Sequence, residues 1–169
     1  MRRAAALLLA VALLALSGCG PARPKTVPAG VSSTTLNQEI EVKASIATAT
    51  FAAGSVPTVD VEVRNTGKTA VRYVRFDGCD RGFQVRMQPG GGLFALRTDS
   101  PVRGCTAAIE FADLQPGESV KASYVYRPAA TQPPLTVGEH TISVSFNRGT
   151  APDQLNPVVV TLKVNVTSQ

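Results

Sequence analysis

The chain has 169 residues, of which 17% are charged and 44% are apolar, and its formal net charge is +5. A chain of this length holds one folded domain and a further segment, and this composition excludes wholesale disorder and a coiled coil. Aromatic residues make up only 5% of the chain. A small positive charge with so few aromatic side chains argues against nucleic acid as a partner.

The first segment has the pattern of an export signal. Arg2 and Arg3 precede an uninterrupted apolar run, residues 4–16, which small residues and Cys19 follow. The run is shorter than the roughly 20 residues that a membrane span needs, and a charged start before a short apolar run is typical of a signal peptide. We therefore predict that residues 1–18 are removed. Loss of the two arginines lowers the net charge to +3.

The junction itself resembles the lipobox of bacterial lipoproteins. The residues that carry the resemblance are Leu16, Ser17, Gly18 and Cys19. It implies cleavage after Gly18 and acylation of Cys19, and two or three acyl chains hold a protein durably on a bilayer. An ordinary secretory signal cut near Gly18 is the alternative. Because Gly20 and not Asp follows the cysteine, the resemblance implies a place in the cell envelope, on the outer membrane where the cell has one.

A spacer follows the predicted anchor. Residues 19–37 contain several prolines and then a Ser/Thr-rich stretch, with no hydrophobic period. Such a composition is typical of an extended tether, which spans about 3.1 Å per residue. We therefore expect a lipidated N-terminus and tether over 19–37 and a folded domain over 38–169.

The cysteines left after acylation form an even set. Cys79 and Cys105 remain in an exported domain, where two thiols are expected to form a disulfide. A metal pair and a redox pair are the alternatives. Two cysteines and the distant His140 make a poor zinc site, and the sequence contains no Cys-x-x-Cys.

From Gln38 onward the apolar residues recur with a period of two, which predicts half-buried β-strands. Clear runs are Val59, Val61 and Val63, and later Val158, Val160, Leu162, Val164 and Val166. The pattern predicts about seven to nine strands and no sustained helix. The predicted fold class is all-β, an immunoglobulin-like antiparallel β-sandwich.

The order of several motifs, between residues 51 and 146, resembles the BsuPI family of proteinase inhibitor domains. The motifs are Asn65-Thr66-Gly67, Val71 to Phe76, Gly82-Phe83-Gln84-Val85, Leu114-Gln115-Pro116-Gly117-Glu118 and Val137-Gly138-Glu139-His140. The resemblance implies an immunoglobulin-like sandwich of a kind found in envelope proteins, and an activity of binding and inhibiting serine proteinases. It implies no particular inhibitory residue, because the shared motifs are structural.

The sequence offers no convincing catalytic, metal or cofactor site. His140 is the only histidine in the sequence. The alternation of its strand places it on the inward side, which favours a packed residue over a catalytic one. Asp77 and Asp80 lack the further oxygen donors that calcium needs, which favours a turn. Residues 90–92 are not followed by the Lys-Ser/Thr of a phosphate loop, which favours a hairpin tip. We therefore predict a non-enzymatic protein without a cofactor.

Positive charge is concentrated between Arg64 and Arg103. A basic end could meet an acidic protein, an anionic glycan or lipid head groups, and scattered solvated arginines are the alternative. The candidate partner-binding residues are Arg81, Arg86, Arg97 and Arg103. The last two lie in residues 88–104, inside the loop that the disulfide would close, and such a restraint reduces the entropy lost on binding.

These patterns favour a binding or assembly module, held on the membrane by its N-terminal lipid, whose partner is an envelope protein. A proteinase inhibitor is the alternative that the family resemblance supports, and its partner would be a proteinase.

The predicted disulfide has a direct test. We expect Cys79→Ala to lower the free energy of unfolding by about 3 kcal/mol without changing the fold, because the bond restrains the unfolded chain. Reduced wild-type protein is the matched control and should lose the same amount. Thiol titration of the denatured, unreduced protein should find neither Cys79 nor Cys105 free, and two reactive thiols would contradict the pairing.

Overall fold

The computed structural model describes residues 30–76, 82–89, 93–96, 109–127 and 135–168. Every regular element in these ranges is a β-strand. The strands are β1 (Val31–Asn37), β2 (Ile40–Ile46), β3 (Thr50–Ala52), β4 (Thr58–Asn65), β5 (Val71–Phe76), β6 (Phe83–Gln88), β7 (Leu93–Leu96), β8 (Ile109–Leu114), β9 (Ser119–Arg127), β10 (Gly138–Arg148) and β11 (Asn156–Thr167). Within this part of the chain, no helix has the length and hydropathy that a bilayer crossing requires.

The strands form two layers in which almost all neighbours are antiparallel. The first layer has the order β1-β2-β4-β9-β7, and the second has the order β6-β10-β11-β3. The layers meet at one corner, where Leu93 of β7 is opposite Arg86 of β6. Strands β5 and β8 pair with each other, and β5 meets β10 where Tyr73 is opposite Arg148. The predicted class, an all-β antiparallel sandwich, is confirmed.

The core fills the space between the inward rows of the two layers. Phe146 is central to it, since its ring centroid lies 5.1 Å from that of Tyr73 and 5.4 Å from that of Phe83. The inward residues predicted for the last strand are all at most 3% exposed. Burying a large apolar side chain contributes about 1.5–3 kcal/mol, so the alternating strands supply the main stabilisation of the fold.

The described residues contain eleven strands, more than the pattern predicted, and one of them lies ahead of the predicted domain boundary. Strand β1 falls within the predicted tether, and its residues alternate between half-buried and exposed. A Ser/Thr-rich strand at the edge of a sheet carries little apolar signal, although threonine favours strands. Residues 31–37, which were expected to belong to the tether, therefore form a strand of the described sheet. Strand β3 is too short to show a period.

Asn65 connects neighbouring turns at one end of the sandwich. Its side chain is fully buried, and its Nδ2 donates to the carbonyl oxygens of Thr69 and Leu114 at 2.7 and 2.9 Å. Its Oδ1 accepts a hydrogen bond from the backbone N–H of Gly67 at 2.9 Å. One amide side chain therefore satisfies three backbone groups, two of them in its own turn and one at the end of β8.

Backbone hydrogen bonds extend this connection to two further turns. The N–H of Gly117 donates to the carbonyl oxygen of Asn65 at 2.8 Å, and Gly117 adopts a φ of 78°, where glycine is favoured. Thr66 donates through both its backbone N–H and its Oγ1 to the carbonyl oxygen of Glu39, each at 2.7 Å. The turns after β1, β4 and β8 are therefore held together through Asn65 and Thr66.

We expect Asn65→Ala to lower the free energy of unfolding by about 3 kcal/mol, because buried backbone groups lose their partners. Asn65→Asp keeps the acceptor toward Gly67 but cannot donate to the two carbonyls. It should therefore lower the free energy of unfolding at least as much as Asn65→Ala. Asn165→Ala, at an exposed position of β11, is the matched control and should change stability by less than about 0.5 kcal/mol. Urea denaturation measures all three, and equal stability of Asn65→Ala and the control would contradict this role.

Candidate functional site

The two ends of the sandwich have different compositions. At the first end, which we call the tether end, the described chain begins at Gly30, Val31 is opposite Ile46, and the N–H of Asn165 donates to Ala49. The opposite end, which we call the turn end, comprises residues 37–40, 65–70, 114–118 and 148–156. The contacts of Asn65 and Thr66 lie there. The turn end is therefore the more extensively hydrogen-bonded end of the described structure.

Arg148, the last residue of β10, lies at the turn end and is only 9% exposed. Its Nε donates to the carbonyl oxygen of Asn156 at 3.3 Å, and its Nη2 donates to Oδ1 of Asn37 at 3.4 Å. Both acceptors are neutral. No carboxylate of the described residues forms an ion pair with this guanidinium, so its charge has no opposite charge beside it there.

The candidate site is Arg148 with its two acceptors, Asn37 of β1 and Asn156 of β11. Leu36 precedes Asn37 and is 67% exposed. Because consecutive strand residues point to opposite faces, Leu36 does not share the face of Asn37 that meets Arg148.

The sequence analysis did not identify Arg148, although the sequence pattern of β10 indicates its unusual position. Ile142, Val144 and Phe146 are the inward residues of β10, and Arg148 has the same parity. A charged residue at an inward position near a strand end is unusual because burial of a charge is unfavourable. The prediction instead followed the density of arginines along the chain, which pointed to an earlier segment.

Of the predicted partner-binding residues, the structure describes only Arg86. It lies on the outer face of β6, exposed, in register with Ser143 of β10. The other predicted site residues lie outside the described residues: Cys19, Cys79, Cys105, Arg81, Arg97 and Arg103. The predicted lipidation, disulfide and arginine loop therefore stay predictions.

Two other arginines of the basic segment have local partners. Nη2 of Arg75 lies 2.9 Å from Oε2 of Glu110, and the guanidinium of Arg72 lies 5.4 Å from the ring centroid of Phe111. These contacts join β5 to β8. The other described arginines of this segment, Arg64 and Arg86, lie on β4 and β6.

The outer faces of both layers carry exposed ion pairs. On the first layer, Nζ of Lys43 lies 3.1 Å from Glu41, and Nζ of Lys121 lies 3.5 Å from Glu62. On the second layer, Nζ of Lys163 lies 3.7 Å from Glu139. Neither face holds a buried charge, which leaves Arg148 as the described charged residue least accessible to water.

His140 is buried near the tether end and occupies the packed position that the sequence predicted. Its Nδ1 lies 3.1 Å from the carbonyl oxygen of Pro89, and its Nε2 lies 2.8 Å from that of Thr136. Both ring nitrogens therefore face backbone rather than solvent, which argues against a role as a base or a metal ligand. In the described ranges, no group of three or more His, Cys, Asp or Glu side chains is placed to hold a metal ion.

Tyr126 also belongs to the tether end. Its N–H donates to the carbonyl oxygen of Pro57 at 3.0 Å, and its ring packs edge-on against Phe94 with centroids 5.4 Å apart. Burial raises the pKa of the Tyr126 phenol above its ordinary value of 10.0. The hydroxyl is therefore neutral at physiological pH.

No protein-family model matches the chain, and no curated protein matches it. Among solved structures, the chain is similar to a beta-glucosidase from Listeria innocua in complex with laminaribiose, with 20% identity over 77% of this chain and a TM-score of 0.41. It is also similar to a beta-glucosidase from Erythrobacter marinus, with 17% identity over 82% of this chain and a TM-score of 0.37. The chain spans 16% of the length of each, and likenesses this low give no information on its activity.

Proposed function

We propose that the protein is a non-enzymatic, lipid-anchored binding module of the cell envelope that presents its turn end to a partner protein. The observation that carries the proposal is the direction of β1. This strand of seven residues starts at the tether end and finishes with Asn37 at the turn end, a rise of about 23 Å. A domain attached to a membrane through the chain before β1 has its turn end as the farther end.

The anchor in this proposal is Cys19, on the resemblance to the lipobox. Strand β1 begins at Val31, so in this proposal residues 20–30 would be the spacer between the lipid and the sheet. At about 3.1 Å per residue in an extended conformation, such a spacer reaches about 34 Å. That length keeps the domain near the membrane surface while leaving its far end accessible to other envelope proteins.

Rigidity of the turn end supports a binding role. The contacts of Asn65 and Thr66 hold three turns in one arrangement before any partner arrives. Preorganised surface loses less conformational entropy when a complex forms, so a small area can bind specifically. A module of this kind needs neither a cofactor nor a catalytic group.

Inhibition of serine proteinases is the second candidate, supported by the resemblance to the BsuPI family. Two of the motifs that carry the resemblance, at Asn65 and at Gly117, are hydrogen-bonded to each other at the turn end. In this alternative, Arg97 and Arg103 would enter an acidic proteinase pocket. Inhibition assays against a panel of serine proteinases, with and without replacement of both arginines by alanine, separate the inhibitor from a module that only assembles envelope proteins.

We expect mass spectrometry of the detergent-extracted protein to find an acylated Cys19 peptide and no peptide containing Met1. The Cys19→Ser variant should lack the acyl mass and leave the membrane fraction, because the remaining chain has lost its lipid. A water-soluble mature form that begins at another residue would contradict the anchor.

The orientation is tested by photo-crosslinking in intact cells. A photoreactive amino acid at Lys68, exposed at the turn end, should give adducts with another protein. The same residue at Val56, which is 60% exposed in the loop after β3, is the matched position near the tether end and should give few protein adducts. Protein adducts from position 56 alone would overturn the proposed orientation, and their absence from both positions would overturn the binding function.

A further inference from the structure

We propose that the first strand of the domain exchanges between two copies of the chain, so that β1 of each copy pairs with β2 of the other. The surface involved is the edge of β2, and the partner is a second copy of this protein. Such an exchange needs neither the lipid anchor nor a foreign partner, so it goes beyond the proposed function.

The connection between β1 and β2 is short and strained. Asn37 is opposite Ile40, so only Gln38 and Glu39, which we call the hinge, join the two strands. Their φ angles are 46° and 70°, and no other non-glycine residue of the described ranges has a positive φ. Asparagine followed by glycine is the favoured pair in such a turn, because most side chains are strained in the left-handed region. The hinge residues therefore disfavour the closed hairpin.

Contacts from a neighbouring turn hold the hinge on one side. Thr66 donates through its N–H and its Oγ1 to the carbonyl oxygen of Glu39. This carbonyl is next to Ile40, which begins β2 and is opposite Asn65 of β4. Strained backbone persists where surrounding contacts hold it. These bonds fix the end of the hinge that belongs to β2, and they remain possible when β1 moves away.

Strand β1 is attached to the core much less firmly than β2. The residues of β1 alternate between half-buried and exposed, and none is buried. The inward residues of β2 are at most 3% exposed: Ile40, Val42, Ala44 and Ile46. Departure of β1 would therefore uncover little apolar surface but would leave β2 as an unpaired edge beside the core. Such an edge readily pairs with another strand.

A second copy supplies the replacement strand with every contact unchanged. Val31 packs against the edge of the core, and Oδ1 of Asn37 accepts a hydrogen bond from Nη2 of Arg148 at 3.4 Å. A foreign strand would need to reproduce both contacts, whereas β1 of a second copy has the same residues in the same register. A short, strained connection to an element that another copy can replace is the condition that favours domain swapping.

The strand directions determine how the two copies meet. Strand β1 finishes at the turn end, and β2 starts there. An extended hinge therefore carries the chain out of the turn end of one copy and into the turn end of the other. The two turn ends face each other in the exchanged dimer, so the dimer covers the surface that a single copy presents to a partner.

The exchange is tested in intact cells that express two full-length copies, each with one added cysteine. One copy carries Thr34→Cys and the other carries Lys43→Cys, at exposed positions that are opposite each other in the β1–β2 pair. Directly opposite residues are close enough for a disulfide. We expect a covalent dimer with one copy of each kind. Thr161→Cys, exposed on β11, replaces Lys43→Cys in the matched control and should give no such dimer.

Hinge variants connect the exchange to the strained turn. Gln38→Asn with Glu39→Gly suits the closed hairpin and should lower the yield of mixed dimer at least about tenfold. Gln38→Val with Glu39→Val favours an extended hinge and should raise the yield. Lys68→Val makes the same kind of change in another exposed turn of this end and should leave the yield unchanged. Equal yields in all of these backgrounds would overturn the role of the hinge.

The remaining outcomes separate the possible partners. Absence of the mixed dimer from every background would overturn the exchange, and a disulfide from position 43 to a different protein alone would overturn the second copy as the partner. The proposed function is tested apart from this, by photo-crosslinking from position 68 in the Asn-Gly background, where β1 stays in its own copy. Loss of all protein adducts there would overturn the foreign partner and support the exchange.

Discussion

The buried amide of Asn65 is the interaction on which the turn end depends. Turns that lie side by side leave backbone N–H and carbonyl groups without partners, and such groups are unfavourable when they are removed from water. Asn65 satisfies one N–H and two carbonyls with a single side chain, which no apolar residue can do. The turns after β1 and β8 are hydrogen-bonded to the turn after β4 through Glu39 and Gly117. The arrangement of the far end therefore follows from polar contacts, while the sheets follow from apolar burial.

Arg148 shows how the two kinds of interaction meet. The inward residues of β10 are apolar up to Phe146, and the next inward residue is Arg148. Neutral oxygens from β1 and β11 accept two of its hydrogen bonds and leave the rest of its donors at the surface. The inward row of β10 therefore ends in a charged group that neutral acceptors hold.

Much of the fold was predictable because alternation reports burial residue by residue. The inward rows of β4 and β11 are those that the valine pattern predicted. Strand β1 was not predictable, since an edge strand of serine and threonine buries little and has no apolar period. The candidate site was even less accessible to sequence reasoning. Arg148 and Asn37 are 111 residues apart in the chain, and only the three-dimensional fold brings them together. Of the predicted partner-binding arginines, Arg86 alone lies in the described residues, where it is exposed on β6.

The position of β1 also determines how the domain would respond to mechanical load. In the proposed arrangement, the lipid pulls on Val31 from the tether end while a bound partner pulls on the turn end. That force runs along the strands. All seven residues of β1 pair with β2, and the hydrogen bonds of an antiparallel pair lie perpendicular to the strand direction. A pull along the strand therefore loads these bonds together in shear instead of opening them one after another, and the attachment resists force better than a hairpin that is pulled apart from its open end.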